Sequence, residues 1–176
     1  MRDSLGSSCD IMIRYLLPLL IAASATAVNG QVSSRPVCLG DSAFALGPVR
    51  IGEEGSTALV HLDSALEIRR DTLEGADLLF PLTHYRYHDF ELTISRASGK
   101  VAAIRALGPD VHTPLGLHLG MSRASLESSV PPGALRATGP STAEICGRGL
   151  ATSMTLAFDS TGRVVELILY GYYPKQ

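Results

Sequence analysis

Between residues 90 and 106 the chain alternates apolar and polar side chains: Phe90, Leu92 and Ile94 against Glu91, Thr93 and Ser95, then Ile104 against Arg105. A period of two sends successive side chains to opposite faces of a strand, so this stretch predicts two half-buried β-strands. Between them lies a short polar segment with a glycine, the composition of a hairpin loop in which Gly99 takes the left-handed position. The text then returns. Residues 92–104 recur as 156–167 with one residue dropped in the turn, where Gly162 stands for Gly99. The predicted inward set is Phe90, Leu92, Ile94 and Ile104 in the first hairpin, and Met154, Leu156, Phe158, Val165, Leu167 and Leu169 in the second. Glu91, Thr93, Ser95, Arg105 and Glu166 are predicted to face water.

Upstream of each hairpin stands a proline, a short extended stretch and a glycine: Pro48-Val49-Arg50-Ile51-Gly52, and Pro114-Leu115-Gly116-Leu117-His118-Leu119-Gly120. A helix candidate follows each. Ser56 can cap a segment with Leu59, Leu62, Ala65 and Leu66 on one face. Ser122 can cap a shorter one bearing Leu126 and Val130, which Pro131-Pro132-Gly133 stops. Each unit thus reads strand, helix, variable loop, strand, turn, strand. The predicted fold class is α+β: a tandem repeat of a helix plus antiparallel β-hairpin unit, helices packed on one face of an antiparallel sheet. Unit 1 covers residues 44–110 and unit 2 residues 111–176. Either alone would bury a thin core, and a shared sheet remedies that.

The N-terminal pattern is different. Arg14 precedes the apolar run 15–23, and small residues Ser24-Ala25-Thr26-Ala27 follow. These are the features of a cleaved secretory signal over 1–27, with a lead-in over 28–43. The run is short of the roughly 20 residues that span a bilayer. Asp3 and Asp10 are unusual in a basic leader, so translation from Met1 and from Met12 both stay open. Cys38 follows Arg35-Pro36-Val37, which is not the small-residue box of a lipoprotein, and no later segment is long and apolar enough to span. A soluble periplasmic or secreted protein is expected, with no membrane insertion after the signal is removed. Cys38 and Cys146 then remain, and an oxidising compartment would join them as one disulfide.

Composition narrows function only by exclusion. The 176 residues carry a formal net charge of −2 and are 45% hydrophobic, too near neutrality for a nucleic-acid partner or a polybasic membrane surface. Neither a P-loop, a G-x-G-x-x-G nor a G-x-S-x-G is present, and His61-Leu62-Asp63-Ser64 are adjacent residues that cannot assemble a triad. No cofactor is expected. His84 and His88, four apart on a predicted strand, would share a face about 13 Å apart, too far for one metal ion without help. His112 and His118 bracket the start of the second unit. Asp89 and Glu91 share a strand face as a carboxylate pair or as ordinary acidic surface.

Tyrosine placement carries the functional expectation. Counting parity along the strands puts Tyr85 and Tyr87 on the face of Glu91 and Thr93, and Tyr170 and Tyr172 on the face of Glu166. Tyrosine also simply suits strands, but on a wet sheet face it suits protein contact.

The text of residues 113–126, with its helix start at Ser122, and the later Phe158-Asp159-Ser160-Thr161-Gly162-Arg163-Val164 resemble exported bacterial proteins of the β-lactamase-inhibitor-protein-like fold. The small lipoprotein of the outer-membrane β-barrel assembly machine has a related single unit. The resemblance covers roughly residues 44–170 and implies helix-covered tandem sheets that bind protein through a curved sheet face. No inhibitory contact motif is matched, and the absent lipobox counts against the assembly-lipoprotein role. The expectation is therefore a non-enzymatic protein-binding module of inhibitor, immunity or envelope-assembly type. Its partner would be another envelope or secreted protein, held through Tyr85, Tyr87, Tyr170 and Tyr172. The competing expectation is a metal- or thiol-dependent envelope enzyme using His84, His88, His118 or Cys146.

Overall fold

The period-two text at 90–106 and 153–170 forms the middle of a single eight-stranded sheet, seen in a computed structural model that describes residues 37–75, 78–149 and 152–171. The leader predicted over 1–27 and most of the lead-in 28–43 lie outside the described residues. A hairpin of β1 (Ala45–Leu46) and β2 (Val49–Arg50) comes first, then helix α1 (Gly55–Val60). Four strands follow: β3 (Glu67–Gly75), β4 (Leu78–Arg86), β5 (Phe90–Ser95) and β6 (Val101–Ala106). Helix α2 (Arg123–Ser129) leads into β7 (Leu135–Gly139), β8 (Thr142–Cys146), β9 (Ser153–Phe158) and β10 (Val164–Tyr170). The spatial order is β3-β4-β5-β6-β10-β9-β8-β7, antiparallel throughout. Two four-stranded meanders thus meet along their last strands. No helix among the described residues is long and apolar enough to cross a membrane.

This overturns the α+β expectation of a helix-plus-hairpin repeat. Sheet dominates among the described residues, whose two α-helices have six and seven residues. The segments read as variable loops are strands. In β3, Glu67, Arg69 and Asp71 alternate with Ile68 and Arg70, but both sets are wet or half-wet because the strand is an edge, so no apolar contrast marks the period. Strand β7 is the other edge and is similarly exposed. In β8, Ala143 and Ile145 do alternate with Thr142, Glu144 and Cys146, a five-residue signal too short to stand out.

The inner face of the sheet is an apolar row crossing its strands. Register places Leu92 opposite Ile104, Ile104 opposite Leu169, Leu169 opposite Met154, and Met154 opposite Ile145. All five are 0% exposed. Phe44, Leu46 and Val49 from the first hairpin, Ala58 of α1, Leu117, and Leu126 of α2 complete the core. Burying side chains of this size is worth about 1.5–3 kcal/mol each. One predicted core residue is misplaced. Val165 is 55% exposed while Val164 is 1% exposed, because the β9–β10 register shifts between Val164 and Glu166. A bulge there inserts one residue and flips the parity.

Both helices start on a hairpin turn by the same main-chain contacts. Gly55 N donates to Gly99 O at 2.8 Å, and Arg123 N to Gly162 O at 2.9 Å. Val101 N donates to Glu53 O and Val164 N to Met121 O, both at 2.9 Å. The hairpin glycines sit in the left-handed region as predicted, at φ 74° and 76°. Ser122 caps α2, accepting from Ser125 N at 3.2 Å. Ser56 does not cap α1: that helix begins one residue earlier, at Gly55, and its N-cap Glu54 makes no side-chain cap bond. The helix also ends before Leu62, Ala65 and Leu66, where Asp63-Ser64 favour a turn over another helical turn.

Cys38 and Cys146 form the expected disulfide, with 4.7 Å between Cα atoms. Beside it Leu39 N donates to Cys146 O at 2.8 Å and Arg148 N to Leu39 O at 2.7 Å. Replacing both cysteines by serine opens a loop of sequence separation 108 and should cost about 2–5 kcal/mol in urea unfolding. Gly55→Ala should cost about 1–3 kcal/mol in the same assay. Its Cβ would lie 2.7 Å from Ile94 Cδ1 and 2.9 Å from the Gly99 carbonyl oxygen.

Candidate functional site

The strands that bury Leu92, Ile104 and Leu169 on one side present the alternate residues on the other. Across this outer face, register sets Arg69 beside His84, His84 beside Thr93, Thr93 beside Ala103, Ala103 beside Tyr170, Tyr170 beside Ser153, and Ser153 beside Cys146. The next row along the central strands holds Arg105, Ile168 and Thr155. Both helices and the first hairpin contribute to the core on the opposite side.

Tyr170, the last residue of β10 and thus on the fifth of the eight strands, is 41% exposed. Partial burial raises its phenol pKa, Glu166 adds to the rise, and Arg105 opposes it. Arg105 Nη2 donates to Glu166 Oε1 at 2.9 Å across the β6–β10 seam. The pair is solvent-accessible and worth at most about 1 kcal/mol to stability. Both charges lie close enough to act on the Tyr170 phenol.

Toward β3 the face becomes a charged hollow of about 70 Å³ lined by Glu67, Arg69, His84, Arg86 and Glu91. His84 Nδ1 lies 3.0 Å from Thr93 Oγ1 and 3.6 Å from Glu91 Oε1, while its Nε2 lies 3.7 Å from Asp71 Oδ2. Arg69 Nε pairs with Asp71 Oδ2 at 2.9 Å. Thr93 is on the outer face as predicted but only 7% exposed, lying against the His84 ring.

The predicted tyrosine quartet does not share this face. Tyr85 stands opposite Leu92 and packs on the core, and Tyr87 is 8% exposed and stacks on Phe90 at 4.9 Å between ring centroids. The parity count failed at the turn. Tyr85 opposes Leu92 and Arg86 opposes Glu91, so odd positions of β4 share a face with even positions of β5. His84 and Arg86 are therefore the β4 residues that lie on the Glu91 side. Tyr170 is placed as predicted, and Tyr172 lies outside the described residues.

The histidines are not brought together as one donor set. His88 sits in the β4–β5 turn, exposed, its Nδ1 2.7 Å from Asp89 Oδ1, so it does not share a strand face with His84. That carboxylate holds the His88 pKa above its usual value. The His112 and His118 rings meet edge to face at 4.7 Å, with His118 Nδ1 2.8 Å from Leu119 O. Among the described residues no three histidine, cysteine or acidic side chains are grouped to hold a metal ion. Cys146 is occupied by its disulfide.

No known protein family matches the chain, and no curated protein is similar to it. Among solved structures the chain is similar to the uncharacterised protein YfeY from Escherichia coli. The identity is 14% and the TM-score 0.46, over 77% of this chain and 100% of that one. A likeness that distant carries no argument about family or activity.

Burial raises the Tyr87 phenol pKa above 10.0, with Tyr85 adding to the rise. The folded state thus favours the protonated phenol, and stability should fall as pH rises above about 10. Tyr87→Phe should change stability by about 1 kcal/mol or less at neutral pH. Urea melts at about pH 8 and about pH 11 should show a smaller alkaline loss in the variant than in the parent.

Proposed function

We propose that this chain is an exported, non-enzymatic protein-binding module that engages another exported protein through the outer face of its sheet. One observation carries the reading: Tyr170, the last residue of β10 and so on the fifth of the eight strands, stands 41% exposed on the outer face, with Ile168 on its own strand and the Arg105–Glu166 ion pair acting on its phenol. Tyrosine and arginine are the residue types that anchor protein interfaces, because they supply contact area together with a polar end that tolerates water. The β-lactamase-inhibitor-protein-like resemblance of residues 113–126 and 158–164 implies the same mode of contact. The disulfide fits an oxidising compartment, which agrees with the secretory pattern of the N-terminal text and supports a partner outside the cytoplasm.

The expected partner is a folded protein with an apolar socket for the Tyr170 ring, rimmed by groups that complement Arg105 and Glu166. Immobilised protein should capture it from an envelope extract or culture supernatant of the source cell. Tyr170→Ala combined with Arg105→Glu should reduce capture by about tenfold or more, with the circular dichroism spectrum unchanged. Equal capture by the folded double variant refutes this assignment of the face.

A further inference from the structure

The segment that leads into α2 folds back on itself at residues 113–117. Gly116 N donates to Thr113 O at 2.8 Å, Thr113 N to Leu117 O at 3.0 Å, and Leu117 N to the Thr113 hydroxyl at 3.1 Å. Gly116 takes the left-handed position, at φ 75°, which a side chain would strain. Thr113 and Leu117 are buried, so the turn is anchored inward at both ends. Their outer neighbours are left toward solvent: His112 is exposed and His118 half-buried. The two rings meet with 4.7 Å between centroids and 65° between planes. His118 Nδ1 lies 2.8 Å from Leu119 O. A carbonyl only accepts, so that nitrogen carries the proton and Nε2 keeps its lone pair. A ring N–H held by a carbonyl is the arrangement that orients a metal-ligating histidine.

We infer that His112 and His118 form a two-nitrogen chelating site for a divalent copper ion, with water in the remaining coordination positions. The ring separation carries the choice of ion. With metal–nitrogen bonds of about 2.0–2.1 Å, an imidazole centroid stands roughly 3.2 Å from its ion. Two such rings at a right angle about the ion lie roughly 4.5 Å apart, and two at the tetrahedral angle roughly 5.2 Å. The observed 4.7 Å is close to the first. Right-angled nitrogen donors suit the tetragonal geometry of Cu²⁺, which also binds nitrogen most tightly among the divalent first-row ions. Tetrahedral Zn²⁺ fits this pair less well. A third protein donor is not needed, and none is grouped with the pair among the described residues. The other histidines are placed differently. Glu91 lies toward Nδ1 of His84 and Asp71 toward its Nε2, so these carboxylates do not converge on one point with the ring. His88 is held at Nδ1 by Asp89.

Titration of the purified, untagged protein with Cu²⁺, followed by calorimetry and by electron paramagnetic resonance of the bound ion, tests this directly. The parent should take up a saturable equivalent of copper whose spectrum shows coupling to two nitrogens. His112→Ala should weaken that site by about tenfold or more. His118→Asn, which keeps a donor for Leu119 O and removes the second ring nitrogen, should do the same. The two substitutions combined should cost little more than either alone, because each already breaks the chelate. His61→Ala, His84→Ala and His88→Ala should leave the site intact. Neither His112 nor His118 belongs to the core, so the folded circular dichroism spectrum should persist in every variant. A parent without the two-nitrogen signal overturns the proposal. A site that survives either substitution overturns it as well, as do losses that add in full in the double variant, the mark of two separate sites.

Discussion

The structure depends on a seam three register pairs long. Strands β6 and β10 meet at Arg105 with Ile168, Ile104 with Leu169, and Ala103 with Tyr170. These pairs join the two meanders of the sheet. On the inner side the seam is Ile104 against Leu169, both 0% exposed. On the outer side it is Tyr170, Ile168 and Arg105. Core and candidate site are therefore the two faces of the same few residues. A one-residue slip would turn Leu169 to water and Tyr170 into the core, so burial of Leu169 is what enforces the position of Tyr170.

So short a seam is reinforced from the side. The hairpin of β1 and β2 contributes Leu46 and Val49 to the core, both 0% exposed, together with the preceding Phe44. Gly52 N donates to Val101 O at 2.9 Å at the start of β6, and Gly120 N to Val164 O at 2.7 Å at the start of β10. Each seam strand is thus gripped at its first residue by the segment that leads into a helix. The disulfide fastens the start of the described chain to the end of β8. The seam is held as much by what covers its inner side as by its own hydrogen bonds.

What could be read in advance follows burial contrast. The central strands carry one dry and one wet face, and their period was plain; Gly99, Gly162, Ser122 and the Cys38–Cys146 bridge were legible because each answers a local or pairwise constraint. Strands β3 and β7 were not, because an edge wet on both sides has no contrast to reveal. The errors of face, Val165 and the Tyr85–Tyr87 pair, have one cause. Parity counted along a sequence survives only until a bulge or turn adds a residue, and the count at such a point is fixed by pairing, which is not local. The Arg105–Glu166 pair was visible as two outward residues, but their contact across 61 positions depends on the seam.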